Sequence, residues 1–284
     1  MSGFSASWLA LREPVDHRSR NADLARRFAG RFAERAAPRI MDFGCGTGSN
    51  LRATAPLLGA SQEWTLVDHD PALIEAAARA LTAWADEARA LGDGLALLKD
   101  GRNIGVTFRV ADLTRDLEAL LAGTPDLVTA SALFDLISEP WMTRFAAALA
   151  ASGAEFYTVL TYDGRDAFNP EHPFDMGVMT AFRAHQRRDK GFGPAAGPEA
   201  AAALARALRA AGFTVETGDS PWILAPADAA LVEELVAGIA AAVEETGLIA
   251  DKGIVDWRHY RQAIITQKGA RMITGHTDLL AYRG

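Results

Sequence analysis

The chain has 284 residues, of which 49% are hydrophobic and 23% charged, a balance typical of a globular protein with one large or two small domains. Its 29 Lys plus Arg stand against 36 Asp plus Glu, and this formal charge of −7 at pH 7 disfavours a general nucleic-acid binder, which must neutralise phosphates. The single cysteine, Cys45, excludes an internal disulfide, and no stretch is typical of a signal peptide or a membrane span. We therefore expect a cytoplasmic protein whose partners are neither nucleic acids nor membranes.

Five short runs rich in β-branched and aromatic residues follow one another along the first 161 residues, and most are apolar on both faces. Such runs are typical of buried strands in a parallel sheet. They cover residues 39–43, 64–67, 105–110, 126–131 and 155–161. Helical patterns separate them, so the chain is predicted to form a doubly wound α/β sheet covered on both faces.

The clearest helical pattern begins at Asp70-Pro71, a helix N-cap followed by proline at the first helical position. It predicts a helix that reaches Leu91, because one stripe at spacings of three and four carries Leu73, Ala77, Leu81, Trp84, Ala88 and Leu91.

Three segments lie outside the strand–helix alternation. Residues 1–37 carry several large apolar side chains and are predicted to form a helical lid. Residues 162–197 are rich in Gly, Pro, His and aromatic residues, and we expect a substrate cap there because long loops in compact domains are usually functional. Residues 225–269 contain two further helical patterns.

A glycine-rich turn, in the stretch RIMDFGCGTGSN at residues 39–50, follows the first predicted strand. In sheets of this kind such a turn binds a nucleotide, because ligands lie at the carboxyl edge where the strand order reverses. NAD sites have the spacing G-x-G-x-x-G and typically an apolar residue where Asp42 stands. Here the spacing is G-x-G-x-G, and Asp42 would oppose a pyrophosphate but suit a positively charged ligand. An NAD-dependent oxidoreductase is therefore the less favoured alternative.

Two more carboxylates end the second and third predicted strands. Asp68 is placed to accept hydrogen bonds from both ribose hydroxyls, and Asp112 to meet an adenine amine. Each alone is also explained as a loop acid or a helix N-cap. Together with Asp42, however, they place acids at the ends of three consecutive strands, which favours a nucleoside site.

The motifs MDFGCGTGSN, LVDHDP, RVADLT and DLVTASALFDLI resemble those of the class I S-adenosylmethionine-dependent methyltransferases, over roughly residues 38–162. The resemblance implies a Rossmann-like fold with a mostly parallel sheet of seven strands, an antiparallel last strand and helical cap insertions. It also implies that residues 38–284 form a methyltransferase domain that binds S-adenosyl-L-methionine.

By this resemblance, Asp42 and the Gly44–Gly48 loop face the methionine part of the cofactor, Asp68 the ribose, and Asp112 the adenine. The full set of expected cofactor contacts is Asp42, Gly44, Cys45, Gly46, Asn50, Asp68, His69, Asp112, Leu113 and Ser131. Cys45 is interpreted as a small residue beneath the ligand rather than a nucleophile, because no activating base is evident nearby.

Methyl transfer depends mainly on alignment, and a general base matters only when the nucleophile arrives protonated. His185 and Tyr162 are the predicted catalytic residues: His185 because its pKa lies close to working pH, and Tyr162 because it leaves the fifth strand beside the expected methyl. A packed or surface histidine is the alternative for His185. The expected substrate contacts are Arg12, Asp163, Arg165 and Gln186. His276, in TGHTDLLAY, is interpreted as a structural hydrogen-bonding residue, with a site role as the alternative.

The segment after the fourth strand reads ASALFDLI and lacks the motifs of amino-methylating nucleic-acid enzymes and of cytosine-C5 methyltransferases. No cluster of His, Cys or Glu has the spacing of metal ligands, so no metal is expected. With the acidic balance, these features favour methyl transfer to oxygen or nitrogen of a small metabolite. A protein or RNA methyltransferase and a non-catalytic module that binds the cofactor remain the alternatives.

Overall fold

All five predicted strands occur, within a single mixed sheet, in the computed structural model, which describes residues 4–284. The strands are β1 (Arg39–Phe43), β2 (Ser61–Asp68), β3 (Glu87–Leu91), β4 (Gly94–Lys99), β5 (Arg102–Val110), β6 (Leu127–Ser131), β7 (Glu155–Asn169), β8 (Thr214–Asp219), β9 (Trp222–Leu224) and β10 (Arg271–Tyr282). Their order is β3-β4-β5-β2-β1-β6-β7-β10-β8, and β9 pairs with β10 beside β8.

Within residues 4–284 the sheet has ten strands, which corrects the expected seven. The central strands β5, β2, β1, β6 and β7 are parallel, and the order reverses between β1 and β6, as in a doubly wound sheet. The outer pairings are antiparallel and outnumber the parallel ones by five to four, so the sheet is mixed rather than mostly parallel. The last strand, β10, is antiparallel as predicted.

Two of the additional strands, β3 and β4, form a hairpin, although the sequence pattern predicted a helix over the residues of β3. The helix from Pro71 ends at Trp84, and Ala88 and Leu91 lie in β3, where alternating small apolar residues also fit a strand. A Cβ on Gly94 would overlap the carbonyl oxygen of Val106, so only glycine lets β4 approach β5 there.

The helices are α1 (Ala6–Ser19), α2 (Ala22–Phe32), α3 (Ser49–Thr54), α4 (Pro71–Trp84), α5 (Leu113–Leu121), α6 (Glu139–Ser152), α7 (Asp175–Gln186), α8 (Ala200–Ala210), α9 (Ala229–Glu244) and α10 (Asp251–Ile264). Asp70 caps α4 as predicted, with its carboxylate accepting from the Ala72 N–H at 2.8 Å.

Two hydrophobic cores cover the two faces of the sheet. Ile40 of β1 belongs to the core beneath α2, α9 and α10, whereas Met41 and Phe43 of the same strand belong to the core beneath α5, α6 and α8. This alternation along one buried strand is what a sheet covered by helices on both faces requires.

Strand β7 is longer than predicted and changes how residues 162–197 are organised. The strand continues to Asn169 because the 12-residue strand β10 pairs with it, from Phe156 opposite Ala281 to Asn169 opposite Arg271. The first eight residues of that segment therefore extend the sheet, and α7 and a loop form the rest.

Helix α2 fixes the N-terminal segment to the sheet. Phe28 is fully buried and its ring stacks on Tyr157 of β7, with the ring centroids 4.5 Å apart and the planes 8° from parallel. Leu24 and Phe32 of the same helix are also buried.

We expect Phe28→Ala to lower the free energy of unfolding by about 3–5 kcal/mol, because it leaves a cavity between α2 and the sheet. Urea unfolding followed by circular dichroism measures the change. Phe4→Ala, at a half-exposed site, is the matched control and should cost less than about 0.5 kcal/mol. A loss below about 1 kcal/mol in Phe28→Ala would mean that α2 contributes little to the core.

Candidate functional site

The glycine turn lies at the carboxyl end of β1 and has a backbone that favours glycine. Gly44, Gly46 and Gly48 have φ values of 64°, 53° and 77°, in the left-handed region. The Cys45 N–H donates to the Val67 carbonyl at 3.0 Å, and the Gly48 N–H donates to the Cys45 carbonyl at 2.8 Å. The turn is therefore tied to the end of β2 and leads directly into α3.

Asp68 ends β2 and is bonded to this turn. One carboxylate oxygen accepts from the Gly46 N–H at 2.9 Å, and the other from the Asp70 N–H at 3.0 Å. The His69 ring is 62% exposed, and its Nδ1 lies 3.3 Å from Asp68 Oδ1. A buried carboxylate thus sits beside the glycine turn at the edge where a nucleotide binds in such sheets.

Asp42 is fully buried beneath the turn, in a network that reaches the N-terminal segment. Its Oδ1 accepts from Asn50 Nδ2 at 2.6 Å and from the Thr129 hydroxyl at 2.7 Å, and its Oδ2 is buried without a partner. Arg20 donates to Asn50 Oδ1 at 2.9 Å and to the Thr54 hydroxyl at 3.0 Å. Burial raises the pKa of Asp42 to about 6, although the hydrogen bonds from Asn50 and Thr129 oppose the shift. The Asn50 side chain is thus held between Asp42 and Arg20.

The remaining residues expected at the cofactor lie along the same edge. Burial, and next the charge of Asp42, hold the pKa of the Cys45 thiol well above its usual range, so the thiol stays protonated. Asp112 caps α5 by accepting from the Thr114 N–H at 2.9 Å, and hydrogen bonds from Thr114 lower its pKa. Leu113 is buried, and Ser131 is half-buried at the end of β6.

Helix α1 lies directly over the glycine turn. A Cβ on Gly46 would come within 2.9 Å of Leu9 Cδ1. His17 hydrogen-bonds the Ser49 hydroxyl at 2.9 Å, which ties α1 to the start of α3. Arg52 donates to both carboxylate oxygens of Glu13, at 2.7 and 2.5 Å. These contacts hold the N-terminal helix against the turn.

A second polar cluster lies between α1, β9 and β10. Arg12 donates to Asp16 at 2.8 and 3.2 Å, and its guanidinium lies 4.9 Å from the centre of the Trp222 ring. Trp222 Nε1 donates to Asp16 at 3.1 Å, and its ring centroid is 5.0 Å from that of His276. Arg12, an expected substrate contact, is therefore a member of a buried cluster rather than a solvated residue.

Two titratable groups in this region have buried polar atoms that form no hydrogen bond with residues 4–284. They are His276 Nδ1 and Asp135 Oδ1. Burial lowers the pKa of His276 to about 3, and the charge of Arg12 acts in the same direction. Burial raises the pKa of Asp135 to about 6, while the charges of Arg12 and Lys190 oppose the shift. His276 is thus neutral at pH 7, and Asp135 titrates close to neutrality.

Asp135 did not emerge from the sequence, although one signal was present: an acid four residues after the end of β6, at the carboxyl edge of the sheet. His276 lies opposite Tyr162 in the β7–β10 pairing, and their ring centroids are 6.3 Å apart. The Tyr162 hydroxyl donates to Asp166 at 2.6 Å. Burial, and next the charge of Asp166, raise the pKa of Tyr162 far above its usual value, so this hydroxyl acts as a hydrogen-bond donor.

The other expected catalytic and substrate residues lie apart from this cluster. His185 Nε2 hydrogen-bonds Glu245 at 3.1 Å, just beyond α9, while its Nδ1 is buried without a partner. Arg165 pairs with Asp163 and with Asp219, at 2.5 and 2.8 Å, on an exposed surface. Gln186 ends α7, and its backbone carbonyl lies against Gly197. The structure thus brings Arg12 and Tyr162 to one cluster and leaves His185, Gln186 and Arg165 outside it.

Within residues 4–284, no three His, Cys, Asp or Glu side chains are grouped so as to hold a metal ion. No helix in the same range has the length and apolar character needed to cross a membrane.

Solved protein structures include similar folds. No protein-family model and no curated protein matches the chain. The chain is similar to a cyclopropane-fatty-acyl-phospholipid synthase-like protein from Lactobacillus casei, at 18% identity and a TM-score of 0.56, covering 99% of this chain and 95% of that one. It is also similar to a putative methyltransferase from Bacillus halodurans, at 12% identity and a TM-score of 0.50, covering 92% and 97%. These likenesses show a mixed α/β sheet with helices that matches the Rossmann-like methyltransferase fold.

We expect Arg20→Met to lower the free energy of unfolding by about 3–5 kcal/mol, because it leaves buried Asp42 and Asp278 without their cation. Urea unfolding at pH 7 measures this loss. Arg18→Met, which removes a half-exposed ion pair with Asp228, should cost less than about 1 kcal/mol. Equal losses in the two variants would show that burial of the Arg20 network contributes nothing.

The lowered pKa of His276 leads to a separate prediction about how the free energy of unfolding depends on pH. Its pKa is about 3 in the folded chain and about 6.5 when unfolded, so the unfolded state binds the extra proton between these values. The contribution of neutral His276 is therefore present above about pH 6.5 and is lost as the pH falls. Asp42 and Asp135, whose pKa values are raised, act in the opposite direction, so a variant must isolate the histidine.

The difference in unfolding free energy between the wild type and His276→Gln should shift by about 2 kcal/mol, to the disadvantage of the wild type, between about pH 7 and about pH 5. Urea unfolding at both pH values provides the measurement. His259→Gln, at an exposed position, controls for the substitution itself. A difference that does not vary with pH would contradict the assignment of a buried neutral imidazole.

Proposed function

We propose that the chain is an S-adenosyl-L-methionine-dependent methyltransferase that transfers a methyl group to oxygen or nitrogen of a small metabolite. The observation that carries this proposal is Asp68, a buried carboxylate bonded to Gly46 of a turn whose glycines have left-handed backbones. This arrangement supports a nucleoside whose ribose meets Asp68 while the glycine backbone allows close approach.

The charge beneath the turn supports this cofactor over a dinucleotide. Asp42 is buried under Gly44–Gly48, and its pKa of about 6 leaves it largely ionised at pH 7. An anion there would repel a pyrophosphate and attract a sulfonium or an ammonium group. We propose backbone contacts from Gly44, Cys45 and Gly46, and further contacts from Asn50 and Ser131.

The adenine end of the site is proposed by the same reasoning. Asp112 lies two residues after β5, and its side chain is partly exposed although it caps α5. The backbone of buried Leu113 follows it. These groups and the His69 backbone would border the base, next to the Asp68 carboxylate.

When bound, S-adenosyl-L-methionine would supply an electrophilic methyl group: the acceptor atom bonds to the methyl carbon as the carbon–sulfur bond breaks, and the neutral thioether S-adenosylhomocysteine leaves. The chain then has to hold the acceptor atom in line with the methyl group. Such alignment is worth about 7–11 kcal/mol in intramolecular models. For a protonated acceptor, Asp135 offers a free buried oxygen and a pKa of about 6, which suits a general base near neutral pH. Tyr162 and Arg12 would orient the acceptor. His185, on helix α7, is proposed as a second candidate base or as a hydrogen-bond donor to the substrate.

The segment roles follow from these positions. Residues 1–37 contain α1, whose Leu9 lies on the glycine turn, which supports a lid. Residues 162–197 contain the outer part of β7 and α7, which supports a substrate cap containing Asp163, Arg165 and Gln186. Residues 225–269 add α9 and α10.

Calorimetric titration with S-adenosylmethionine, S-adenosylhomocysteine and NAD tests the cofactor. We expect the first two to bind and NAD not to bind. Asp68→Ala should weaken binding by about 10–100-fold, because hydrogen bonds to a charged group contribute about 1.5–3 kcal/mol. Asp86→Asn, in the distant β3–β4 hairpin region, is the matched control and should bind normally. Binding of NAD, or of none of the three, would contradict the proposal.

A further inference from the structure

A cavity of about 500 Å³ opens between the outer part of β7 and helix α7. This volume lies within the range of small-molecule sites. Its walls come from residues 166–183, so it is separate from the glycine turn, which follows β1. The Tyr162 hydroxyl reaches its edge by donating to Asp166.

One wall of the cavity carries carboxylate oxygen atoms that are available to a ligand. The Asp166 side chain is only 1% exposed; its Oδ2 accepts from Tyr162, while its Oδ1 accepts no hydrogen bond from residues 4–284. Glu171 is exposed at the rim and forms no ion pair with any described residue. Asp166 Oδ1 and the Glu171 carboxylate would each suit an ammonium group.

Arg183 supplies the opposite charge in the same cavity. Its Nη1 donates to the Gly164 carbonyl at 3.0 Å and lies 3.7 Å from Asp166 Oδ2, too far for a hydrogen bond. Its Nη2 and Nε donate no hydrogen bond to the described part of the chain. The guanidinium therefore keeps donors available for a carboxylate, with the geometry of a two-pronged contact.

The remaining lining is apolar or already engaged. Phe168, Met176 and Met179 provide apolar surface, and methionines adapt to ligands of different shape. Asp175 also lines the cavity, but Arg261 binds its carboxylate and Trp257 Nε1 donates to it at 2.8 Å. Asp166 and Arg183 thus form an ion pair with each other but keep unused acceptor and donor atoms, and Glu171 has no charged partner among the described residues.

We propose that this cavity binds a small zwitterion, an α-amino acid or a close analogue, with its ammonium at Asp166 and Glu171, its carboxylate at Arg183 and an apolar side chain on the methionines. A simple amine would leave Arg183 unmatched, and a simple acid would be repelled by two carboxylates. Binding of this ligand at the cavity does not depend on the proposed function.

Calorimetric titration with norleucine, pentylamine and hexanoate tests the proposal, because the two latter compounds each lack one charged group of the first. Norleucine should bind at least about tenfold more tightly than either, since each charge-assisted contact contributes about 1.5–3 kcal/mol. Alanine should bind more weakly than norleucine, because it buries less apolar surface.

Asp166→Asn and Arg183→Met should each weaken norleucine binding by about 10–100-fold. Arg183→Lys, which keeps the charge but not the planar fork, should be intermediate. Asp23→Asn and Arg206→Met, at exposed sites outside the cavity, are the matched controls and should bind normally. Melting temperatures report whether each variant is folded.

S-adenosylmethionine itself carries an amino-acid group, so each titration is repeated in saturating S-adenosylhomocysteine. Unchanged norleucine binding supports a separate site, and competition would place the probe at the glycine turn and overturn the inference. Failure of both norleucine and alanine to bind, or equal binding of all three matched probes, would also overturn it. If the protein binds norleucine but not S-adenosylmethionine, only the proposed methyl transfer is refuted.

Discussion

The buried link from Asp42 through Asn50 to Arg20 is the constraint on which the candidate site depends. A carboxylate sealed beneath a backbone turn is costly unless it is hydrogen-bonded and paired with a cation. Asn50 supplies the hydrogen bond and Arg20 supplies the charge, from the junction between α1 and α2. This link joins the end of β1 and the start of α3 to the N-terminal helices, and the contacts of Leu9, His17 and Arg52 reinforce it.

The strand order explains why two polar clusters lie side by side. The chain winds from β1 toward β2 and β5 in one direction and toward β6 and β7 in the other, so the carboxyl ends of β1 and β6 border a crevice. Asp68 and the glycine turn lie on one side of it, and Asp135 follows β6 on the other. Helix α1 spans both, because Leu9 contacts the turn and Arg12 belongs to the second cluster.

Local patterns in the sequence predicted the central strands, the glycine turn and the start of α4, because each depends on neighbouring residues. The stripe through Ala88 and Leu91 misled, since small apolar residues fit both a helix and an edge strand. The role of Arg20 depends on Asn50, 30 residues away, and that of His276 on a strand pairing across more than 100 residues. Contacts between residues so far apart in the chain leave no periodic pattern in the sequence from which they could be predicted.

Burial gives the second cluster less charge than its sequence suggests. It lowers the pKa of His276 to about 3 and raises that of Asp135 to about 6, so each group moves toward its neutral form. Arg12 is already paired with Asp16. This cluster therefore offers a ligand free buried hydrogen-bonding atoms, whereas the cavity at Asp166 presents charges of both signs. The two places thus suit different chemistry: hydrogen bonding to a polar group at the first, and pairing with a zwitterion at the second.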